Sequence, residues 1–346
     1  MKLLILDTRR GKHYTDLFIA DEEDLQFNKM RLGYVPEIHY DQANHQLVVV
    51  ETELGKNELE QTRYWLKCFS LDSMELVLHQ ETSLRPMYSG YPGRSTRVKS
   101  SFSGRFLYFQ EQTIHPTSLE IYRLLVHRYD YKTNKIETGE IKIDSCLLDF
   151  DQFGADEDEL CFHLSCEFPS VVAFGNFNSP DLEFLQLEEI SPRTHTPRET
   201  CGSWFSKEKK ALFCITGEGT IYEIKNNPPT ARLLARLPLP KRSSIPMQQL
   251  CESNQSLLVG ISSNVDERGL SLASQLWRIS IETGEILDKI ELPFPVRNFV
   301  TTPDGFLIVA VSPYQKAIML IETNSGKVLG IKDGIGMTPA EVLVIP

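Results

Sequence analysis

The densest group of polar and aromatic side chains lies between Arg85 and Ser100, in the stretch RPMYSGYPGRSTRVKS. Guanidinium and phenol groups both donate hydrogen bonds to oxygen anions, so this stretch could line a site for a carboxylate or another anionic group. Glycine and proline residues interrupt it, which places it in a connection between strands. The alternative is an ordinary loop with solvated arginines and tyrosines at its rim. The candidate binding residues are Arg85, Tyr88, Tyr91, Arg94 and Arg97.

A second candidate group lies in the segment GYVPEIH, which contains Tyr34, Glu37 and His39. If the protein is an enzyme by itself, a tyrosine or histidine would donate a proton and an arginine would stabilise charge. No local Ser/His/Asp signature joins these residues. These residues could act together only if the fold brings them close to Tyr91 and Arg94. Motif spacing does not test this.

The metal-ligating residue types show no spacing that indicates a metal site. The segment from Asp149 to Leu160 begins like a calcium-binding loop, but Phe153 and Leu160 occupy positions that require oxygen ligands. We interpret it as a solvated turn. None of the eight histidines forms an HxxxH or HExxH pair. We expect no metal, although ligands converging from different parts of the chain stay open.

The seven cysteines form no CxxC pair, and several lie inside apolar runs such as ALFCIT, which favours reduced and mostly buried thiols. The net charge of −11 argues against a nucleic-acid partner, because phosphate backbones require clustered lysine and arginine. No segment is long and apolar enough to cross a bilayer. The N-terminal apolar run is too short for a secretory signal, so we expect a cytoplasmic protein without a membrane partner.

These residues must be positioned by β-strands, because the chain shows short β-branched and aromatic runs and almost no helical periodicity. One phrase recurs as IETGEILDKIEL, IETNSGKVLGIK and YKTNKIETGEIK: a strand end, a Thr/Asn/Gly turn and a second strand. The Thr-x-Gly part supplies the positive φ that a tight hairpin requires. Another phrase, a polar turn followed by an apolar strand, recurs about 45 to 60 residues apart. Its copies are HYDQANHQLVVVE, SSFSGRFLYFQE, FGADEDELCFHLS, WFSKEKKALFCIT, LCESNQSLLVGIS and VTTPDGFLIVAVS.

Together the two phrases define a four-stranded antiparallel module that cannot cover both of its faces alone. Radial packing of such modules is the β-propeller. Six units are predicted near residues 36–96, 97–145, 146–200, 201–246, 247–295 and 296–339. Residues 340–346 and 1–35 supply the strands of a seventh unit, which leaves no open sheet edges. The sequence therefore predicts an all-β, seven-bladed β-propeller, closed by strands from both termini, as a single domain over residues 1–346.

Several segments resemble a known family. LWRISIETGEILDKIELPFPVRNFVTTPDGFLIVAVSPYQKAIMLIETNSGKVLGIKDGIGMTPAEVLV is similar to the last two blades of the heavy subunits of methylamine and aromatic amine dehydrogenases. PMQQLCESNQSLLVGISSNVDERGLSLASQLW resembles the preceding blade. LGYVPEIHYDQANHQLVVVETELGK and YSGYPGRSTRVKSSFSGRFLYFQ resemble early blades. The resemblance is most specific in the C-terminal third.

The resemblance implies a seven-bladed propeller that carries no redox group or other cofactor itself. In that family a small disulfide-rich light subunit holds a tryptophan-derived quinone and docks on the heavy subunit, which walls the substrate channel. Tyr34 matches an aromatic residue at that channel, and Tyr91 with Pro92 fits the equivalent turn of the next blade. The family's heavy subunits are periplasmic, and the N-terminus of this chain departs from that pattern.

Two main functions follow as hypotheses, and a third, a peptide-binding propeller of the interaction-hub type, is disfavoured because the repeat signatures of those families are missing. In the first, the chain is a non-redox scaffold that docks a light subunit or another protein on one end and walls a substrate channel. In the second, it is a stand-alone small-molecule enzyme or ligand-binding propeller of a cytoplasmic biosynthetic pathway. Its axial pocket would then take a ligand with an anionic or amine group. The sequence contains no catalytic motif that decides between them.

Overall fold

The protein is described from a computed structural model. The described residues are 2–8, 14–21, 26–53, 63–82, 98–101, 103–114, 121–142, 148–152, 157–164, 171–187, 202–216, 219–225, 228–240, 243–262, 272–337 and 339–345.

The described residues are almost entirely β-strand, with a single 3₁₀ helix at Glu252–Asn254. In chain order the strands are β1 (Lys2–Thr8), β2 (Tyr14–Asp21), β3 (Phe27–Asp41), β4 (Gln46–Glu53), β5 (Arg63–Ser70), β6 (Leu76–Thr82), β7 (Val98–Ser100), β8 (Phe106–Ile114), β9 (Ile121–Asp130), β10 (Lys135–Ile141), β11 (Leu148–Gln152), β12 (Glu159–Leu164), β13 (Val171–Asn176), β14 (Ser179–Gln186), β15 (Gly202–Ser206), β16 (Ala211–Ile215), β17 (Thr220–Lys225), β18 (Thr230–Arg236), β19 (Ser244–Cys251), β20 (Ser256–Ser262), β21 (Ala273–Ser280), β22 (Ile286–Val296), β23 (Asn298–Thr301), β24 (Leu307–Ser312), β25 (Ala317–Glu322), β26 (Val328–Asp333) and β27 (Pro339–Ile345).

The strands form five four-stranded antiparallel sheets and one seven-stranded sheet, ordered β27-β1-β2-β3-β4-β5-β6. The long strand β3 belongs to two four-stranded groups, since it follows β2 in one and precedes β4 in the other. The seven-stranded sheet is therefore two blades that share a strand. With the other five sheets this makes the seven blades of a β-propeller, which confirms the predicted fold class.

The two chain ends meet in one blade, as predicted. Strand β1 pairs antiparallel with β27 over most of its length, for example Leu4 with Leu343. On its other side β1 pairs with β2, where Leu4 lies opposite Ile19. Since β1 has partners on both sides, the first strand of the chain presents no open edge.

The chain divides into two compact units, which are described separately below. The first unit contains Met1–Gly11, Thr15–Arg31 and Ser191–Pro346. The second contains Lys12–Tyr14 and Leu32–Ile190. The predicted single-domain organisation and its blade boundaries stay predictions.

Packing within the first unit follows from the two-residue period of strands. In β24, Ile308 and Ala310 pack against residues of β20 to β22, including Leu276. The alternate residues Val309 and Val311 pack on the other face against β1 and β27. Because both faces of the sheet are buried, β24 is apolar without alternation, which explains the run LIVAV.

In the second unit the corresponding core joins the blade β3–β6 to the blade β7–β10. Val48 and Leu66 of the first blade form one buried cluster with Leu107, Phe109 and Tyr129 of the next. Four-stranded blades therefore shield one another's faces in this unit too.

The recurring hairpin phrase forms the turn between the third and fourth strands of a blade. Gly284 and Gly326 have φ of 76° and 66°, and each N–H donates to a strand carbonyl at 2.9 Å. In YKTNKIETGEIK the left-handed residue is Asn134, with φ of 55°, and Gly139 lies in strand β10 instead. Asparagine tolerates this conformation, so the phrase is shifted in that copy.

Candidate functional site

The predicted binding residues of the RPMYSGYPGRSTRVKS stretch, which are Arg85, Tyr88, Tyr91, Arg94 and Arg97, lie outside the described residues. The main chain of Tyr34 and Glu37 lies in β3, while their side chains are outside what the structure describes. His39, also in β3, is described completely. The structure therefore tests the surroundings of the Tyr34 segment, and not the arginine-rich stretch.

Strand β3 bulges at the GYVP segment. Tyr34 lies opposite Thr52, and Glu37 lies opposite Val50, so β3 has one more residue than β4 between these pairs. Proline lacks an N–H and is tolerated in strands at bulges, which fits Pro36 at this position. The bulge marks where β3 passes from one blade to the next.

A carboxylate from the neighbouring strand holds this connection. The N–H of Gly33 donates to Oε2 of Glu51 over 3.0 Å, and Lys67 Nζ lies 2.7 Å from Oε1. Both charged side chains are partly buried and keep some contact with solvent, at 12% and 17% exposure for Glu51 and Lys67. A Cβ atom on Gly33 would lie 2.6 Å from Cδ of Glu51, so glycine leaves the room that the carboxylate occupies.

A similar arrangement occurs in the first unit, in the connection Gly336-Met337-Thr338-Pro339 that leads into β27, where the donor is the residue after the glycine. The N–H of Met337 donates to Oδ2 of Asp7 over 3.0 Å, and Asp7 is 1% exposed. Gly336 has φ of +64°, and a Cβ there would lie 2.7 Å from Cγ of Asp7. Gly33-Tyr34-Val35-Pro36 and Gly336-Met337-Thr338-Pro339 are therefore two Gly-x-x-Pro connections, each held by a carboxylate from the second strand of its blade.

The second of these connections displays an exposed apolar residue. Met337 is 50% exposed, and Tyr314 in the turn after β24 is 40% exposed. The N–H of Ile335 donates to the carbonyl of Lys316 at 2.8 Å, and Lys316 Nζ lies 3.7 Å from the sulfur of Met337. We call Tyr314, Lys316 and Met337 the Met337 surface. The loop is held by the main-chain hydrogen bond of Ile335 and by the bond from the Met337 N–H to the Asp7 carboxylate.

A third connection of this type, Ser243-Ser244-Ile245-Pro246, has neither the glycine nor the carboxylate. Ser244 lies opposite Ser262 and Met247 opposite Gly260, which is the same one-residue bulge as in β3. The residue before Ser262 is Ile261, which is 1% exposed. The glycine and the carboxylate thus occur together or not at all among these three connections.

The Nε2 atom of His39 is engaged in hydrogen bonds and is therefore not available for acid–base chemistry. It lies 2.7 Å from Oγ of Ser100 and 3.2 Å from the main-chain N of the same residue. A main-chain N–H can only donate, so Nε2 is the acceptor and the neutral ring carries its proton on Nδ1. His39 therefore links β3 to β7.

The structure places no metal-binding group in the part of the chain that it describes, where no three His, Cys, Asp or Glu residues converge. The calcium-like segment begins in β11, and residues 153–156 are outside the described ranges. No helix among the described residues is long and apolar enough to span a membrane. Of the cysteines, Cys68, Cys161, Cys214 and Cys251 are buried free thiols, and burial raises the pKa of Cys68 to about 12.

Sequence reasoning missed Glu51, Asp7, Ser100 and the Met337 surface. A signal was present for the first two, because GYVP and GMTP share a Gly-x-x-Pro pattern and each acid ends an apolar strand. The partner of His39 has no such signal, since sixty-one positions separate it from Ser100.

Comparison with solved structures shows the fold. The chain is similar to a putative 6-phosphogluconolactonase from Bacteroides fragilis, with 11% identity, 100% of this chain and 98% of that chain covered, and a TM-score of 0.66. It is also similar to a functionally unknown protein from Desulfotomaculum acetoxidans, with 12% identity, 98% of each chain covered and a TM-score of 0.62. A third similar structure is the Cps50 (Swd1) β-propeller domain from Myceliophteria thermophila, with 13% identity, 91% and 90% covered, and a TM-score of 0.62.

At this identity the similarity shows the seven-bladed β-propeller and no particular activity. No protein-family model matches the chain. No curated protein matches it either. The resemblance to amine dehydrogenase heavy subunits therefore stays a prediction beyond the shared fold.

Proposed function

We propose that this protein is a non-catalytic propeller that docks a partner protein through its Gly-x-x-Pro connections. The observation that carries the proposal is the Met337 connection, because a buried carboxylate fixes a loop that displays a half-exposed methionine. Methionine and tyrosine are enriched in the buried centres of protein interfaces. A loop that is ordered before binding loses less entropy when the partner arrives, which favours docking.

The hydrogen bonds of the described polar groups support docking over catalysis. Asp7 and Glu51 accept main-chain N–H groups, and the Nε2 atom of His39 accepts from Ser100. These groups position the chain, and a general acid or base would have to give up those bonds to react. The alternative of a small-molecule enzyme, which the similarity to a putative lactonase keeps open, has no described constellation in its favour.

The amine dehydrogenase resemblance makes the proposal more specific. The partner would be a small light subunit that carries the redox group, and this chain would contribute the wall of a substrate channel. Tyr34 matches an aromatic residue at the channel of that family, so we propose that it lines the channel, while Met337 is the proposed docking anchor.

The test is native isolation of the tagged chain from its source, followed by mass measurement of the complex and identification of any stoichiometric polypeptide. Met337→Ala should weaken binding of that polypeptide by about tenfold, as expected for an interface anchor, while the thermal midpoint stays unchanged. Phe184→Ala is the matched control, because Phe184 is another exposed large apolar residue, in β14, at 56% exposure. Isolation of a monomer that retains a small molecule, or equal binding by all variants, would contradict the proposal.

A further inference from the structure

The turn between β23 and β24 displays an exposed phenylalanine on a fully hydrogen-bonded frame. The N–H of Gly305 donates to the carbonyl of Thr302 at 2.8 Å, and that of Phe306 donates to Oδ1 of Asp304 at 2.9 Å. The N–H of Leu307 donates to Oγ1 of Thr302 at 3.0 Å. Phe306 itself is 49% exposed. The turn is held by its polar groups, so the phenyl ring adds nothing to its hydrogen bonding.

The turn between β7 and β8 makes the same bonds with different residues. There the N–H of Gly104 donates to the carbonyl of Ser101, that of Arg105 to Oγ of Ser103, and that of Phe106 to Oγ of Ser101, each at 3.0 Å. Gly104 and Gly305 have nearly equal φ, 73° and 71°. Arg105 therefore occupies the position of Phe306 and is exposed to solvent.

The comparison extends to other blades. The carbonyl of Phe306 accepts the N–H of Thr323, which begins the next turn of the blade, at 2.9 Å. Four further residues accept the corresponding N–H in their own blades, and all four are polar: His45, Arg105, Asp158 and Gln255. Within the described turns of this type, Phe306 is thus an apolar residue at a position that otherwise carries a polar side chain. The hydrogen bonds of the turn do not require an apolar side chain at this position.

The surroundings fix the turn and give it a negative charge. A Cβ on Gly305 would lie 2.2 Å from Oγ of Ser253, so the neighbouring turn packs closely against it. Asp304 and Pro303 are exposed beside Phe306. The hydroxyl of Thr302 and the N–H of Phe306 donate to Asp304 and lower the pKa of its carboxyl, which keeps it ionised at neutral pH.

We propose that Phe306 is an anchor for a partner protein whose apolar contact is bordered by lysine or arginine side chains. The ionised carboxylate of Asp304 selects a basic border and opposes binding to anionic lipid, so the occupant is a protein and not a membrane surface. Phe306 and the Pro313–Lys316 turn lie at opposite ends of β24, about 20 Å apart at the rise of a strand. The site is therefore separate from the Met337 surface.

The experiment is a selection of short peptides from a random phage-displayed library on the full-length chain, with affinities measured by fluorescence anisotropy. Selected peptides should combine apolar residues with flanking lysine or arginine. Phe306→Gln and Phe306→Arg copy the residues of two other blades, so both should fold with an unchanged thermal midpoint. Each should weaken peptide binding by about tenfold. Asp304→Asn keeps an acceptor oxygen for the turn and should weaken binding by about threefold, with a smaller dependence on salt.

Met337→Ala should leave peptide binding unchanged, so failure of this proposal and failure of the docking function are distinguishable. Four outcomes overturn the proposal. They are a selection that yields no binder, peptides that bind the Phe306 variants as tightly as the native chain, loss of folding in both Phe306 variants, and Phe306-dependent sedimentation with phosphatidylserine vesicles.

Discussion

The two Gly-x-x-Pro connections use a glycine and a carboxylate in different ways. In the Gly336 connection the glycine is left-handed at +64°, and the carboxylate of Asp7 is almost completely buried. In the Gly33 connection the glycine is outside the left-handed region, and Glu51 also pairs with Lys67. The first connection depends on backbone conformation and a buried acceptor, whereas the second depends on space for a charged side chain. The same Gly-x-x-Pro sequence pattern therefore reflects two different physical requirements.

The Ser243 connection shows which residues are found when the glycine and the carboxylate are absent. It keeps the bulge and the proline but has a serine in place of the glycine, and buried Ile261 lies on the strand where the blades of the two Gly-x-x-Pro connections have an acid. A carboxylate next to a glycine is thus not needed to make the bulge. The carboxylate is needed in the two connections where a loop N–H donates a hydrogen bond to a side chain of the same blade.

The largest effect is expected from Gly336→Ala. Left-handed φ costs an alanine about 1–2 kcal/mol, and the clash with Asp7 adds about 1–3 kcal/mol. The free energy of unfolding should fall by about 2–5 kcal/mol, measured by urea denaturation. Gly33→Ala should cost less, because Gly33 is outside the left-handed region and only the contact with Glu51 contributes.

Gly334→Ala is the matched control for the backbone term, since Gly334 has φ of +80° with open space around it. Equal losses for Gly334→Ala and Gly336→Ala would show that the contact with Asp7 contributes nothing.

The second largest loss in the free energy of unfolding is expected from Asp7→Ala. It leaves the N–H of Met337 without its carboxylate acceptor, which costs about 1–3 kcal/mol when the group is buried. Amide hydrogen exchange at Met337 should become faster, and the midpoint of unfolding should fall. Asp7→Asn keeps an acceptor oxygen and should restore most of the protection. If Asp7→Asn is as damaging as Asp7→Ala, the charge of Asp7 matters more than its hydrogen bond to Met337.

The smallest effect belongs to Glu51→Gln, which keeps an acceptor for Gly33 and removes the charge that faces Lys67. An ion pair that is partly in contact with water contributes about 1 kcal/mol or less. A double-mutant cycle with Lys67→Met should return a coupling free energy of that size, weakened at high salt. A coupling near zero would reduce the difference between the two connections to their glycines.

Much of the fold was predictable because propeller blades are local. A hairpin joins strands close in sequence, so the turn residues of IETGEI and IETNSGK already fix where Gly284 and Gly326 lie. The pairing of β1 with β27 was predictable for a different reason, since neither chain end completes a blade alone. The candidate site was much harder to predict from the sequence. The bond from His39 to Ser100 joins two blades, and no periodicity in either segment reports it.

The sequence by itself determined the strand pattern, two of the three recurring hairpin turns, the number of blades and the strand that closes the last blade, because each depends on apolar patterning or on the φ of a turn residue. Only the tertiary structure decided which carboxylates hold the Gly-x-x-Pro connections, and that Phe306 stands where other blades carry polar residues. Those facts depend on strand register and on neighbouring turns, which bring together groups such as Asp7 and Met337 that are 330 positions apart.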